Sequence, residues 1–179
     1  SSNVNHAEIY IYDVLTQKPL YVKKLAFTNG ALRRTAHALS DVIYYALLGQ
    51  KGSFNTKLSF VTVNEEKNGK RKYRLVISDW DGKNQQVIIG SDDPILSPAW
   101  SADQRKIAYV SFKNNRSDVF VKYVFQNTNP IKLPKFDGIA SSPTWHPDGK
   151  SLALTLSKDG NKDIYLYNFD SKKLKRLTT

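Results

Sequence analysis

The chain has no cysteine and no methionine among its 179 residues, and only three histidines. Without cysteine there can be no disulfide and no thiolate metal centre, and the absence suits an oxidising compartment such as a periplasm. A chain that opens on Ser1 and lacks methionine reads as a processed or truncated piece of something longer. No apolar run approaches the roughly 20 residues a membrane helix needs, so a membrane-inserted protein is not expected. His6, His37 and His146 are scattered, and His37 stands one helical turn from Asp41, where a local pair is expected. Neither Gly-x-Ser-x-Gly nor His-Glu-x-x-His occurs, and no pair of carboxylates stands out for acid–base work. The expectation is a protein that is not an enzyme, with no catalytic residue, no cofactor and no metal ligand.

Negative charge is also in short supply: 16 acidic residues face 27 basic ones, a net +11. Such a surplus raises nucleic acid as a partner, but a nucleic-acid platform concentrates its cations on one stripe or element. Here the net charge is +3 over residues 1–54, +1 over 55–95, +4 over 96–139 and +3 over 140–179. Only Lys67 to Arg74 and Lys172 to Arg176 are clusters, and both read as hairpin tips or strand edges, where lysine discourages edge pairing. No nucleic-acid partner is expected.

What the chain does contain is a repeat. Ser97-Pro98-Ala99-Trp100-Ser101-Ala102-Asp103 returns 45 residues later as Ser142-Pro143-Thr144-Trp145-His146-Pro147-Asp148. At the same offset Ile107-Ala108-Tyr109 becomes Leu152-Ala153-Leu154, and Asp118-Val119-Phe120 becomes Asp163-Ile164-Tyr165. Periods of about 40–50 residues with strand-like content are those of propeller blades. Within the later unit, Ser141 to Trp145 reads as a strand opened by a proline, which cannot donate to an interior ladder. His146-Pro147-Asp148-Gly149 is turn chemistry. Ser151 to Leu156, Ile164 to Tyr167 and Leu174 to Thr178 supply three further strands. A weaker copy upstream has Leu58 to Val61, Leu75 to Asp79 and Gln86 to Ile89, with Phe54-Asn55-Thr56 where the Ser-Pro-x-Trp strand should be. Trp100 and Trp145, at a fixed repeat position, are expected to fill the space between blades.

Residues 1–54 fall outside the repeat. Ala7 to Asp13 and Tyr21 to Phe27 read as strands, and Ala31 to Leu48 as a helix with Leu32, Ala36, Leu39, Ile43 and Leu47 on its core face. Gly49 is the expected C-terminal stop and Lys51-Gly52-Ser53 the expected linker. The fold class is therefore mainly β: a partial β-propeller of about three four-stranded antiparallel blades, preceded by the end of a small α/β domain. The expected domains are 1–54 and 55–179, with blades at about 55–92, 93–137 and 138–179.

Two ligand motifs fail on their spacing. Gly149-Lys150-Ser151 echoes the end of a phosphate-binding loop, but Thr144 stands where that loop needs its first glycine. Asp159-Gly160-Asn161-Lys162-Asp163 has the opening of a calcium loop, but Ile164 and Asp170 replace its glycine and glutamate, and the preceding blade has Asn114-Asn115-Arg116-Ser117-Asp118 there.

The Ser-Pro-x-Trp, Asp-Gly-Lys, Leu-Ala and Asp-Ile-Tyr pattern resembles the WD40-like propeller of the TolB family, the periplasmic component of the Tol–Pal system. Ala36-His37-Ala38-Leu39-Ser40-Asp41, leading through Leu48-Gly49 to Lys51-Gly52-Ser53-Phe54, resembles the last helix and linker of that family's N-terminal domain. Ser78-Asp79-Trp80-Asp81-Gly82-Lys83-Asn84-Gln85 resembles its first blade. The resemblance implies a periplasmic scaffold that binds the peptidoglycan-associated lipoprotein Pal through loops on one propeller face. It also implies binding to TolA through an extreme N-terminal segment not present in this chain. Such a scaffold would serve outer-membrane integrity and constriction during cell division. The Pal-facing loops would correspond to Ser91 to Ser97 and Phe136 to Ser142, and the residues carried over are Ser97, Asp137, Gly138, Ile139, Ala140, Ser141 and Ser142. The small residues of the second loop are expected to let it mould to a partner. The alternative is the propeller module of a prolyl-oligopeptidase-type serine peptidase, which shares the repeat style.

Overall fold

The computed structural model describes residues 4–113 and 116–178, leaving aside the side chain of Asn29. Asn114 and Asn115, the tip compared above with a calcium loop, lie outside the described residues. Two compact units can be distinguished, one of residues 1–58 with 78–83 and one of 59–77 with 84–179.

In the first unit, β1 (Val4–Tyr12) and β2 (Pro19–Thr28) form an antiparallel hairpin. Its turn is closed by Asp13, whose carboxylate accepts the amides of Leu15 and Thr16 at 2.8 and 3.0 Å. α1 (Leu32–Leu48) then ends on Gly49, left-handed at φ 68°, with its amide on the Tyr45 carbonyl at 2.8 Å. The side of α1 that packs is not the expected one. Leu32, Ile43 and Leu47 are 58, 39 and 61% exposed. The helix makes its contacts through Arg33, which binds the carboxylates of Asp79 and Asp81, through His37, edge-on to Trp80, and through Tyr44, edge-on to Phe54. Nor does Asp41 serve His37. Its carboxylate accepts the amides of Phe54 and Asn55 at 2.8 and 3.1 Å. Gly52 lies so near Asp41 that a Cβ would fall 2.4 Å from a carboxylate oxygen, so the expected linker is a docked segment.

The second unit is a row of antiparallel sheets connected in simple sequence order. β3 (Lys57–Glu65), β4 (Arg71–Asp79) and β5 (Gln86–Ser91) make a three-stranded sheet. β6 (Ile95–Trp100), β7 (Lys106–Lys113), β8 (Arg116–Tyr123) and β9 (Ile131–Lys132) make a four-stranded one. β10 (Ala140–Trp145), β11 (Ser151–Leu156), β12 (Asp163–Asn168) and β13 (Leu174–Arg176) make the next. Each sheet buries its apolar positions against its neighbour, as repeat units must. Leu75, Ile77, Ile95, Ile107 and Tyr109 join the first blade to the second, and Val110, Val121, Trp145, Leu152, Leu154 and Tyr167 are among those joining the second to the third. Burial alone drives the Tyr109 phenol up to about 12.

The Ser-Pro-x-Trp segment differs in one respect from its expected reading. Its proline does not open the strand but sits inside it at a β-bulge, where the register shifts between Leu96 and Ala99 and between Ser141 and Thr144. The preceding serines, Ser97 and Ser142, are left-handed at φ 51° and 49°. A bulge is where a strand tolerates a residue with no amide to donate. Trp145, 8% exposed, then reaches across to the second blade and donates its indole N–H to the Ala99 carbonyl at 3.2 Å. Trp100 is packed in the same way against the first blade's cluster, but its buried indole nitrogen has no partner among the described residues.

Candidate partner-binding face

Two segments lead into the bulged strands at the same end of adjacent blades: residues 92–94, ahead of β6, and 133–139, ahead of β10. Both are fastened. In the first, the Asp93 amide donates to the Ser91 hydroxyl at 2.9 Å, and the Pro94 carbonyl accepts the Phe112 amide at 2.9 Å. Lys72 holds Asp92, which keeps the Asp92 carboxyl below its ordinary value.

The second segment is sewn to the second and third blades. The Ile139 amide donates to the Ser157 hydroxyl at 2.8 Å, the Ser157 amide returns to the Ile139 carbonyl at 3.1 Å, and the Ala140 amide donates to the Ser117 hydroxyl at 2.8 Å. Gly138 makes this approach possible. It is left-handed at φ 77°, and a Cβ there would lie 2.6 Å from the Ser157 hydroxyl and 2.7 Å from its carbonyl carbon. The small residues thus serve close packing against Ser157, and three hydrogen bonds fix the backbone they were expected to leave adaptable.

The seven residues singled out in the sequence separate by exposure. Ser97, Asp137, Gly138, Ile139 and Ser142 are exposed, with Ile139 54% accessible. Ser141 is half-buried, and the Ala140 side chain is 1% exposed within the core between the second and third blades. What this end of the blades presents is a hydrogen-bonded backbone carrying the exposed aliphatic side chains of Leu96 and Ile139, the carboxylates of Asp92 and Asp137, and several hydroxyls. Loops positioned by a rigid frame often carry binding residues.

The opposite end is built for structure. Lys106 lies 4.5 Å above the Trp145 ring and donates to the Gly149 carbonyl at 3.0 Å, beside a cavity of about 310 Å³. His146-Pro147-Asp148-Gly149 is a hairpin turn running into a strand, with Gly149 at φ 67° and its amide on the His146 carbonyl at 2.9 Å. That closes the phosphate-loop reading, which needs a helix to follow. Back at the end that carries Ile139 and Ser157, Asp159 accepts from the Tyr165 hydroxyl at 2.6 Å, and Asp163 accepts from Arg176 at 2.5 Å. The carboxylates of the failed calcium loop therefore have protein partners. Among the described residues no three histidine, aspartate or glutamate side chains converge on a metal position. Among the described residues no helix is long and apolar enough to cross a membrane.

Sequence reasoning missed the pairing of Arg33 with Asp79 and Asp81. The signal available was the pair of aspartates flanking Trp80, which no other blade repeats.

Comparison with known proteins places these features in a family. The family model described as the TolB β-propeller domain matches residues 44–179. The Tol-Pal system protein TolB of Ruthia magnifica subsp. Calyptogena magnifica is 58% identical over the whole chain, and the chain spans 42% of that protein's length. The protein of the same name from Alcanivorax borkumensis is 43% identical over 84% of the chain, which covers 34% of it. Among solved structures, TolB from Acinetobacter baumannii superposes with a TM-score of 0.86 at 36% identity, covering 97% of this chain and 43% of that one. On this identity, and on the blades and helix that carry it, the chain belongs to the TolB family.

Proposed function

We propose that the chain is part of a non-enzymatic periplasmic scaffold of the Tol–Pal system, and that it contributes to binding of the lipoprotein Pal. Its relatives carry the name of Tol-Pal system proteins. In this reading residues 1–54 are the end of an α/β N-terminal domain, and 55–179 are the blades at about 55–92, 93–137 and 138–179. Contact with TolA would use an N-terminal segment outside these residues. The wider role is to couple the inner membrane, outer membrane and peptidoglycan, maintaining outer-membrane integrity and constriction during division.

The observation that carries the proposal is the pair of equivalent, hydrogen-bonded segments ahead of the bulged strands, with Ser97, Asp137, Gly138, Ile139 and Ser142 exposed at one end. Ser141 sits at the edge of this surface, and Ala140 supports it from the core. A fixed backbone loses little entropy on binding, which favours a partner that meets it without rearrangement. The hairpin and helix ahead of the blades favour this reading over the peptidase propeller, as does the family assignment.

The test is calorimetric titration with the soluble domain of Pal, using the Ruthia magnifica relative as a positive control. Saturable binding by this chain, weakened tenfold or more by Ile139→Asp with unchanged circular dichroism, is the expected result. If the relative binds and this folded chain does not, or if Ile139→Asp binds as well as the parent, the proposed face is wrong.

A further inference from the structure

The second and third blades share a charge ladder that the first one lacks. Asp118 in β8 pairs with Lys132 in β9 at 2.6 Å, and Asp163 in β12 pairs with Arg176 in β13 at 2.5 Å. These carboxylates are equivalent. Asp118 stands five residues before Tyr123, which pairs with Lys106, and Asp163 five before Asn168, which pairs with Ser151. In the first blade the same place, five before Asp79, is held by Arg74. The basic residues face Phe120 and Tyr165, and the corresponding partner of Val76 is Val87. The acidic member has thus become basic and the basic member apolar. Arg74 is exposed, and its guanidinium has no hydrogen-bond or ion-pair partner among the described residues.

The surroundings of Arg74 are open. Its cross-strand neighbour is Gly90, where an added Cβ would meet nothing within 4 Å. A glycine inside a strand weakens it and often marks a place where something else must approach. Arg74 and Gly90 border a notch of about 400 Å³ that also reaches Ser91 and Asp92, the start of the segment leading to Ser97. Lys72, on the same notch, is already bound to Asp92, and Glu66 beside it makes no ion pair with Arg74. Arg74 therefore offers this notch a positive, planar and forked group with no ion-pair partner among the described residues, beside the Glu66 carboxylate, which accepts from the Asn68 side-chain amide.

We propose that Arg74 is a docking cation for a carboxylate on the protein that binds this end of the blades. The partner is identified by its chemistry: an aspartate or glutamate on an exposed segment, received by the two parallel N–H groups of the guanidinium and admitted by Gly90. The inference rests on the partner-binding reading above and extends that surface from the Ser91–Ser97 segment onto the first blade.

Two measurements test it. In the first, the Nε–Hε resonances of the arginines are followed by NMR while an acetylated tetraglutamate amide is added, with Arg74→Gln identifying the Arg74 signal. The Arg74 resonance is expected to shift saturably and further than those of Arg34, Arg71 and Arg105. A shift no larger than theirs, or one reproduced in full by inorganic phosphate, overturns the proposal. In the second, the soluble Pal domain is titrated into Arg74→Ala and Arg74→Asp proteins. Weakening of about fivefold and more than tenfold is expected, with unchanged melting temperature and steeper salt dependence in the parent. If Ile139→Asp abolishes Pal binding while Arg74→Asp leaves it intact, the Pal reading stands and the carboxylate site is refuted. If Pal does not bind the parent, the Pal reading fails and the peptide titration alone decides on Arg74.

Discussion

Replacing Gly138 by alanine separates two physical effects that usually arrive together. The first is conformational: Gly138 has φ 77°, a region where a Cβ costs about 1 kcal/mol. The second is steric. The new Cβ would lie 2.6, 2.7 and 2.8 Å from the hydroxyl oxygen, carbonyl carbon and carbonyl oxygen of Ser157. The hydroxyl accepts the Ile139 amide and could turn aside only by giving up that bond, and the carbonyl is backbone of a residue whose amide is bonded to the Ile139 carbonyl, so a contact must be displaced. Overpacking of this kind costs about 1–3 kcal/mol. The expected total is about 2–4 kcal/mol.

Gly149→Ala supplies the control. Its φ is 67°, but nothing lies within 4 Å of an added Cβ, so only the conformational cost of about 1 kcal/mol remains. Urea unfolding followed by tryptophan fluorescence would give both values on one protein. Gly138→Ala should lose about fivefold or more in folding equilibrium beyond Gly149→Ala, the steric difference being about 1–3 kcal/mol and tenfold about 1.4 kcal/mol. Equal losses would refute the claim that Ser157 makes glycine necessary at 138. A small loss at both would refute the assignment of conformational strain.

Further expectations follow from the inter-blade contacts and the carboxylates. Trp145→Phe should destabilise by about 1 kcal/mol more than Trp100→Phe in the same unfolding assay, because among the described residues the Trp145 indole has an acceptor to lose and the Trp100 indole has none. Equal effects would remove the Ala99 bond from the account. Lys106→Met keeps the aliphatic stem but loses both the ring contact and the Gly149 carbonyl, and should lower stability by about 1–2 kcal/mol. A neutral result would show that the cation adds nothing. Asp13, Asp81, Asp92, Asp103 and Asp148 all titrate below the ordinary 3.8. The leading causes are, in turn, the Thr16 amide, Arg33, Lys72, the Ser101 hydroxyl and the Lys150 amide. Folded values depressed in this way stabilise above 3.8 and lose that contribution as pH falls through them. The urea midpoint should therefore be flat near neutrality and drop below about pH 4, less steeply in Asp103→Asn. A midpoint that rises on acidification would contradict the sign.

The blades were legible because a repeat declares itself more than once. The 45-residue spacing of Trp100 and Trp145, with turn residues and period-two alternation in fixed slots, left few architectures other than a propeller. Gly49 was readable as a helix stop for the same local reason, since a left-handed residue ends a helix regardless of what surrounds it. The helix face was misread. Leu32, Ile43 and Leu47 fall on one side by spacing, yet spacing cannot report that Arg33 and His37 meet partners from the turn around Trp80, 43 or more residues away in the chain.

The candidate site was legible only as a stretch of chain. Composition marked Asp137 to Ser142 as small, but not that Gly138 and Ile139 are stitched to Ser157 or that Ala140 belongs to the core. By itself the sequence determined the repeat, its turns and the kind of strand each slot holds, because those depend on residues near one another in the chain. The tertiary structure decided which apolar residues are covered, where the prolines become bulges and that Arg74 has no ion-pair partner among the described residues. Those outcomes depend on the neighbouring blade, and Arg74 is out of place only beside Asp118 and Asp163.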